Sequence, residues 1–136
     1  MTEALELKLV QEFPTHFRDY NGNPLETCMA FGCEHQDGWF QLFYDLNKRI
    51  AYYLEHINPS VKPDFYWSQI KEKFGTARWY YNGGDDIISD LISYYEGITA
   101  YTCETCGEPG KLRGKGWYYT SCNEHAKAEH KDKEDE

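Results

Sequence analysis

Cys103-Glu104-Thr105-Cys106-Gly107 and, further along the chain, Ser121-Cys122-Asn123-Glu124-His125 are the stretches that decide our interpretation of the fold. Their spacing is C-x2-C-x15-C-x2-H. Two residues between the first cysteines allow both thiolates to point inward from one tight turn. Gly107 tolerates the positive φ that such a turn creates. A hairpin between the two pairs, with turns at its glycines, would bring all four side chains together.

The pattern predicts one structural Zn²⁺ held by Cys103, Cys106, Cys122 and His125. Three thiolates and one imidazole in a tetrahedron favour zinc, and four protein ligands leave no position for a catalytic water. His130 is the competing fourth ligand. A disulfide is disfavoured because the chain has the character of a cytosolic protein, and an iron–sulfur cluster usually takes four cysteines.

Two further cysteines, Cys28 and Cys33, lie close to His35 in the sequence. They leave two interpretations open. The three residues form a second metal site, or the cysteines are buried thiols that pack as small apolar groups.

Before the segment that holds the four predicted zinc ligands, apolar periodicity predicts helices over 3–13, 38–57 and 86–99. Asp37 is the predicted N-cap of the second helix, and Asp85 or Asp86 caps the third. Aromatic and β-branched residues predict a hairpin over 65–82 that turns at Gly75-Thr76. The second helix is expected to end at Asn58-Pro59.

These elements predict the α+β class: two main helices packed on a short antiparallel hairpin or sheet, with a C-terminal zinc-knuckle hairpin. We expect a single domain over 1–125, in which the knuckle occupies 101–125. Residues 126–136 are charged and poor in apolar side chains, and we expect them to form a flexible tail.

The 136 residues carry a net charge of −9, which repels polyphosphate at long range and disfavours general nucleic-acid binding. No apolar run is long enough to cross a membrane, and the acidic N-terminal segment lacks the layout of a signal peptide. We therefore expect a cytoplasmic protein without a membrane partner. Its oligomeric state stays open.

Four adjacent tyrosine pairs suggest an interaction surface, because both members of a pair seldom enter one core. The alternative is that the pairs wrap a small core from two sides. The residues that we predict to contact a partner are Tyr52, Lys73, Arg78, Tyr80, Tyr94, Arg113 and Trp117.

Two basic islands support an alternative function. They comprise Lys71, Lys73 and Arg78 on the hairpin, and Lys111, Arg113 and Lys115 in the knuckle. Interleaved with Trp79, Tyr80 and Trp117 on one face, they would form a nucleic-acid-binding module. A solvated hairpin face is the competing interpretation. The chain contains no G-x-S-x-G, P-loop or H-E-x-x-H motif, and we do not expect an enzyme.

Three stretches carry a resemblance to known proteins. They are Asp37-Gly38-Trp39-Phe40, the segment Ile70 to Arg78 with Gly83-Gly84, and the knuckle from Cys103 to His125.

Over residues 28–126 the chain resembles a family of small, largely uncharacterised proteins encoded by phages, prophages and bacteria. The resemblance implies a phage-accessory setting and a zinc knuckle with its ligands at the four positions above. We accordingly expect a protein that binds a host protein in the bacterial cytoplasm and inhibits or redirects a host or defence factor. An acidic surface that competes with nucleic acid for a basic site on that partner is an extension of this expectation.

Overall fold

Helical and extended segments follow one another along the computed structural model, which describes residues 1–133. Those residues form three α-helices, a three-stranded sheet and a separate two-stranded hairpin, so the predicted α+β class is confirmed. In chain order the elements are α1 (Glu3–Glu12), β1 (Cys33–Glu34), α2 (Phe40–His56), β2 (Tyr66–Lys73), β3 (Thr76–Asn82), α3 (Asp86–Thr99), β4 (Lys111–Arg113) and β5 (Tyr119–Ser121).

Helix α2 presents a row of apolar side chains to the sheet and ends before Asn58-Pro59, as predicted. Its predicted N-cap is wrong. Asp37 lies inside a 3-10 turn that precedes the helix, and its Oδ1 accepts a hydrogen bond from the amide of Thr2 at 2.7 Å. Ile57 continues the apolar spacing of α2, but it follows the last helical turn and is 64% exposed.

Strands β2 and β3 form the predicted antiparallel hairpin, in which Lys71 pairs with Arg78. The turn consists of Phe74-Gly75 rather than the predicted Gly75-Thr76, because Thr76 already pairs with Lys73. The two-residue strand β1 runs parallel to β2, with Cys33 opposite Ile70. Two residues are too few for a periodic pattern, and the sequence analysis did not find this strand.

Helix α3 covers the free edge of β3. The amides of Ala77 and Trp79 donate to Thr99 Oγ1 (2.9 Å) and to Glu96 Oε2 (2.8 Å). These side chains satisfy backbone donors that an open sheet edge would leave free. Asp85 caps α3 as expected, since its Oδ1 accepts from the Ile88 amide at 3.0 Å.

The core lies between α2 and the inner face of the sheet and is dominated by aromatic rings. The Phe43 ring centroid lies 5.0 Å from that of Trp67 and 4.8 Å from that of Trp79. Asn47 is the polar exception in this region of α2. Its Oδ1 lies 2.8 Å from Trp67 Nε1 and 2.9 Å from His16 Nδ1, so one amide oxygen accepts from two buried rings.

Candidate metal centre

Residues 103–107 form the first half of the site. The Gly107 amide donates to the carbonyl of Cys103 at 2.9 Å, which closes the turn between the two cysteines. Gly107 has φ +84°, as the sequence predicted. A Cβ at this position would also lie 3.0 Å from the Gly38 carbonyl oxygen. The position therefore needs glycine for its backbone conformation and for its contact with the rest of the chain.

The second half of the site follows the hairpin of β4 and β5. Cys122 comes directly after β5, and the Ala126 amide donates to the Asn123 carbonyl at 3.3 Å in the turn that carries His125. The loop between the strands contains Gly114 and Gly116, both with positive φ. The hairpin thus returns the chain to the first pair of cysteines.

The ligand atoms of Cys103, Cys106, Cys122 and His125 all lie within 4.8 Å of one another. The Sγ atoms of Cys106 and Cys122 are 3.8 Å apart, and His125 Nδ1 lies 3.8 Å from Cys103 Sγ and 3.2 Å from Cys122 Sγ. These four side chains are close enough together to hold one metal ion.

The two cysteines of the first turn differ in the pKa of their thiols. Burial opposes ionisation of Cys103, but hydrogen bonds from the backbone amides of Cys122, Cys106 and Thr105 outweigh it and lower the pKa of this thiol to about 6. A backbone hydrogen bond at Cys106 favours its thiolate, but burial and the neighbouring sulfur atoms outweigh it and raise its pKa to about 11. The amides around Cys103 thus stabilise a thiolate, the form that binds metal.

Glu104 anchors the site to the segment before α2. Its carbonyl accepts from the Gly38 amide at 2.7 Å, and its buried carboxylate accepts from the Gln36 amide at 3.0 Å. Burial raises the pKa of Glu104. Trp39 Nε1 donates to the Thr102 carbonyl at 2.8 Å beside it. The sequence analysis missed this role, because nothing local distinguishes Glu104 from a solvated residue between two ligands.

His130 lies outside the cluster. Its Nδ1 is 2.6 Å from the hydroxyl oxygen of Tyr119, whose hydroxyl also accepts from the Lys127 amide at 3.0 Å. Lys127 and His130 of the predicted tail therefore contact Tyr119 of the hairpin. The predicted flexibility of this tail stays a prediction, and residues 134–136 lie outside the described part of the chain.

The part of the chain that the structure describes groups no second set of three metal-binding side chains. Cys28 is exposed, whereas Cys33 is 4% exposed and burial raises its pKa. His35 is also buried, and both of its ring nitrogens have hydrogen-bonding partners. Cys33 thus fits the interpretation as a buried thiol, and Cys28 does not.

The residues predicted to contact a partner lie in three places. Tyr52 of α2 and Tyr94 of α3 are 62% and 68% exposed. Lys73 and Tyr80 are exposed and Arg78 is half-buried on the outer face of the β2–β3 hairpin, while Trp117 is 78% exposed in the β4–β5 loop.

Arg113 departs from the expected surface position. It is only 6% exposed, and its guanidinium donates to the carbonyls of Ser121 (3.1 Å) and His130 (2.8 Å) and to Asp132 (3.2 Å). Lys111 of the same island forms an ion pair with Asp132. Two of the three cations in the knuckle island, Lys111 and Arg113, therefore already have partners within the chain. The expected stacking role of Trp79 is also excluded, since Trp79 is 2% exposed.

The fold and the site together define an α+β protein with a C-terminal Cys3His cluster that could hold a metal ion. Comparisons with protein-family models, with curated proteins and with solved structures found no match. Among residues 1–133, no helix combines the length and the apolar character that crossing a bilayer requires.

Proposed function

We propose that Cys103, Cys106, Cys122 and His125 bind one Zn²⁺ and that this ion is structural. At a Zn–S bond length of about 2.3 Å, tetrahedral geometry separates two sulfur atoms by about 3.8 Å. The Cys106–Cys122 separation of 3.8 Å has this value. A set of three soft thiolates and one imidazole is typical of structural zinc.

The proposed ion joins two turns, residues 103–107 and 122–125, that are far apart in sequence and are also linked by the Glu104 amide, which donates to the Thr120 carbonyl at 3.1 Å. One of them is anchored to the segment before α2 through Glu104, and the other follows β5. In zinc-finger peptides, zinc binding contributes about 10–16 kcal/mol, which is comparable to the whole stability of a domain. We expect the ion to determine whether the C-terminal third folds.

Metal analysis of the purified chain tests this proposal. We expect one zinc per chain, a lower melting temperature after chelation, and loss of both the metal and the knuckle in Cys106→Ala. Cys28→Ala is the matched control, because it removes an exposed cysteine outside the cluster. An unchanged melting temperature in the chelated protein would contradict the structural role.

We further propose that the chain is a phage-type accessory protein that binds a host protein rather than an enzyme. The observation that supports binding is an apolar surface on the two long helices, which we name the helical face: Tyr52, Ile57, Leu91 and Tyr94. Two adjoining depressions lie along it and share Arg49 and Leu91. Arg49 Nε donates to the Tyr95 hydroxyl at 2.7 Å. This hydrogen bond links α2 to α3 in the lining of the second depression.

Exposure makes this surface suited to a protein partner. Tyr52, Ile57 and Tyr94 are each more than 60% exposed. Large tyrosine side chains supply contact area together with a polar tip, and they are enriched at protein interfaces. The phage setting and the host partner are supported by the resemblance of residues 28–126 to phage- and prophage-encoded proteins, and a bacterial cytoplasmic location follows from that setting. The net charge of −9 would favour a basic partner.

A pull-down from bacterial cytosol tests the helical face. We expect a captured protein to be lost with Tyr52→Ser/Tyr94→Ser and retained with Leu25→Ser/Tyr101→Ser, which removes exposed apolar side chains from other surfaces. The purified partner should then bind the wild-type chain directly. Equal capture by both double variants would contradict the assignment. A dimer in sedimentation that the first variant dissociates would instead identify a second copy of the chain as the occupant.

A further inference from the structure

The tip of the β2–β3 hairpin and the loop of the β4–β5 hairpin enclose a groove of about 220 Å³ that the proposed function does not use. We name it the tip groove. Two large aromatic side chains of the groove face solvent, Phe74 at 63% and Trp117 at 78% exposure. The residues that line it are Lys71, Glu72, Lys73, Phe74, Gly116, Trp117 and Tyr118.

Phe74 adopts a backbone conformation that phenylalanine rarely takes. Its φ is +54°, and that of Gly75 is +85°. A two-residue hairpin turn with two positive φ values is of type I′, for which Asn-Gly is the preferred sequence. The chain thus has an exposed aromatic side chain where asparagine would be less strained. Such strain clusters at functional sites, where a side chain is retained for what it contacts.

Cations without a carboxylate partner extend from the tip groove onto the outer face of the sheet, and the Lys73 ammonium lies over one face of the Phe74 ring, 5.4 Å from its centroid. Lys71 lies directly opposite Arg78, and like charges in this position destabilise a sheet. Lys73 lies two residues further along the same face. Within residues 1–133, no carboxylate lies within 4.0 Å of a charged nitrogen of these three residues.

Three acidic residues lie near these cations. Glu96 of α3 interacts electrostatically with Arg78, and its Oε2 accepts from the Trp79 amide at 2.8 Å. Glu34 of β1 is the neighbour of Lys71 in the sheet register. Glu72 lines the tip groove, but its Oε2 accepts from the Gly75 amide at 2.9 Å, so this carboxylate is occupied by the turn. The outer face therefore carries three cations, and two of the three nearby carboxylates already accept backbone amides, in a chain whose net charge is −9; this favours an anionic occupant.

The β4–β5 hairpin holds the two sides of the tip groove in position relative to each other. Thr120 Oγ1 donates to the Gly75 carbonyl at 2.6 Å. Gly75 packs so closely that a Cβ there would lie 2.6 Å from Leu112 Cδ1. These contacts attach the turn that carries Phe74 to the two strands on either side of the Trp117 loop.

We propose that the tip groove and the adjoining sheet face bind a short single-stranded nucleic acid. Bases stack on Phe74 and Trp117, and Lys71, Lys73 and Arg78 neutralise the phosphates. The aromatic planes favour this occupant over an acidic peptide, because charge alone would serve a peptide equally well. This surface is separate from the helical face. It also differs from the module expected from the sequence, since Arg113 and Trp79 are buried and Phe74 replaces them.

Fluorescence anisotropy with the zinc-loaded full chain and a labelled oligo(dT) of about twelve nucleotides tests the proposal. Neutralising three phosphates of a single strand predicts that affinity falls about hundredfold between about 20 mM and about 200 mM salt. Lys71→Ala/Lys73→Ala leaves one contact and should reduce this ratio to about fivefold. The matched control is Lys8→Ala/Lys48→Ala, which removes two exposed lysines elsewhere and should retain the full ratio.

The aromatic contribution needs its own variants. Trp117→Ala should weaken binding about ten- to hundredfold without changing the melting temperature, since the side chain is exposed. Phe74→Asn should weaken binding while raising the melting temperature, because asparagine relieves the turn. If Phe74 had a purely structural role, Phe74→Asn would instead lower the melting temperature.

Three results would overturn the proposal. One is the absence of binding at about 20 mM salt. The second is an equal loss of binding in the Lys8→Ala/Lys48→Ala control. The third is displacement of the oligonucleotide by polyglutamate together with unchanged affinity in Trp117→Ala, which would identify an acidic peptide as the occupant. Tyr52→Ser/Tyr94→Ser should leave oligonucleotide binding intact, so failure here is distinguishable from failure of the helical face.

Discussion

We expect His35 to make the stability of this protein depend on pH. Its Nε2 accepts a hydrogen bond from Trp79 Nε1 at 3.1 Å, and its Nδ1 lies 3.0 Å from the Gln36 carbonyl oxygen. One nitrogen must therefore accept and the other must donate, which defines a neutral imidazole. The ring is 4% exposed and lies 5.2 Å from the Trp39 ring. Burial lowers the pKa of His35 from 6.5 to about 4.

The sign of the effect follows from proton linkage. Between the folded pKa of about 4 and the unfolded value of 6.5, the unfolded chain binds more protons at this position. The stability contribution is therefore complete above about pH 7 and is lost progressively as the pH falls. The shift corresponds to about 3 kcal/mol in total, of which about 2 kcal/mol is lost by pH 5.

Urea unfolding at several pH values between about 7.5 and 5 measures this loss. We expect the free energy of unfolding to fall with pH by about 2 kcal/mol more in the wild-type chain than in His35→Gln, whose amide stays neutral and can both donate and accept. His56→Gln is the matched control, because it removes an exposed histidine at the end of α2 and should retain the wild-type slope.

Parallel pH curves for the wild-type chain and His35→Gln would refute this reasoning. Burial also lowers the pKa of His16, and acid also protonates the thiolates of the metal centre. Both effects are present in the wild-type chain and in His35→Gln, so the difference between their two pH curves isolates the contribution of His35.

Three further variants test the packing that positions the site, each by urea unfolding. Gly38→Ala should cost about 3 kcal/mol and weaken metal retention, because its Cβ would lie 2.2 Å from the Cys103 carbonyl oxygen; wild-type stability would contradict the close approach. Asn47→Leu should cost about 3 kcal/mol by removing the acceptor of two buried ring donors, and a neutral effect would show that they find other partners. Asp85→Ala should cost about 1 kcal/mol through loss of the cap at the Ile88 amide, and no loss would exclude that cap.

The long elements could be predicted because their signals are local. Apolar residues at helical spacing identified α2 and α3, and the strand-forming run identified the β2–β3 hairpin. The ends of elements were less certain. Asp37 has the chemistry of an N-cap, but its carboxylate accepts from the Thr2 amide, a contact with residues far away in the sequence.

Surface residues were harder to assign, because the exposure of a side chain depends on segments that are distant in sequence. Lys71, Lys73 and Arg78 share a face, as the hairpin register required. Arg113 looked equivalent to them in composition. It is buried because residues 130–132 fold back over the knuckle and supply acceptors for its guanidinium.

By itself, the sequence determined the α+β class and the four side chains of the Cys3His cluster, since both follow from spacing within short segments. Tertiary structure alone decided that Glu104 anchors the knuckle, that Asn47 joins two buried rings and that Phe74 and Trp117 border one groove. Each of these depends on chain segments brought together by folding. A hydrogen bond or a groove is created only where two such segments meet, and residue spacing does not encode where that happens.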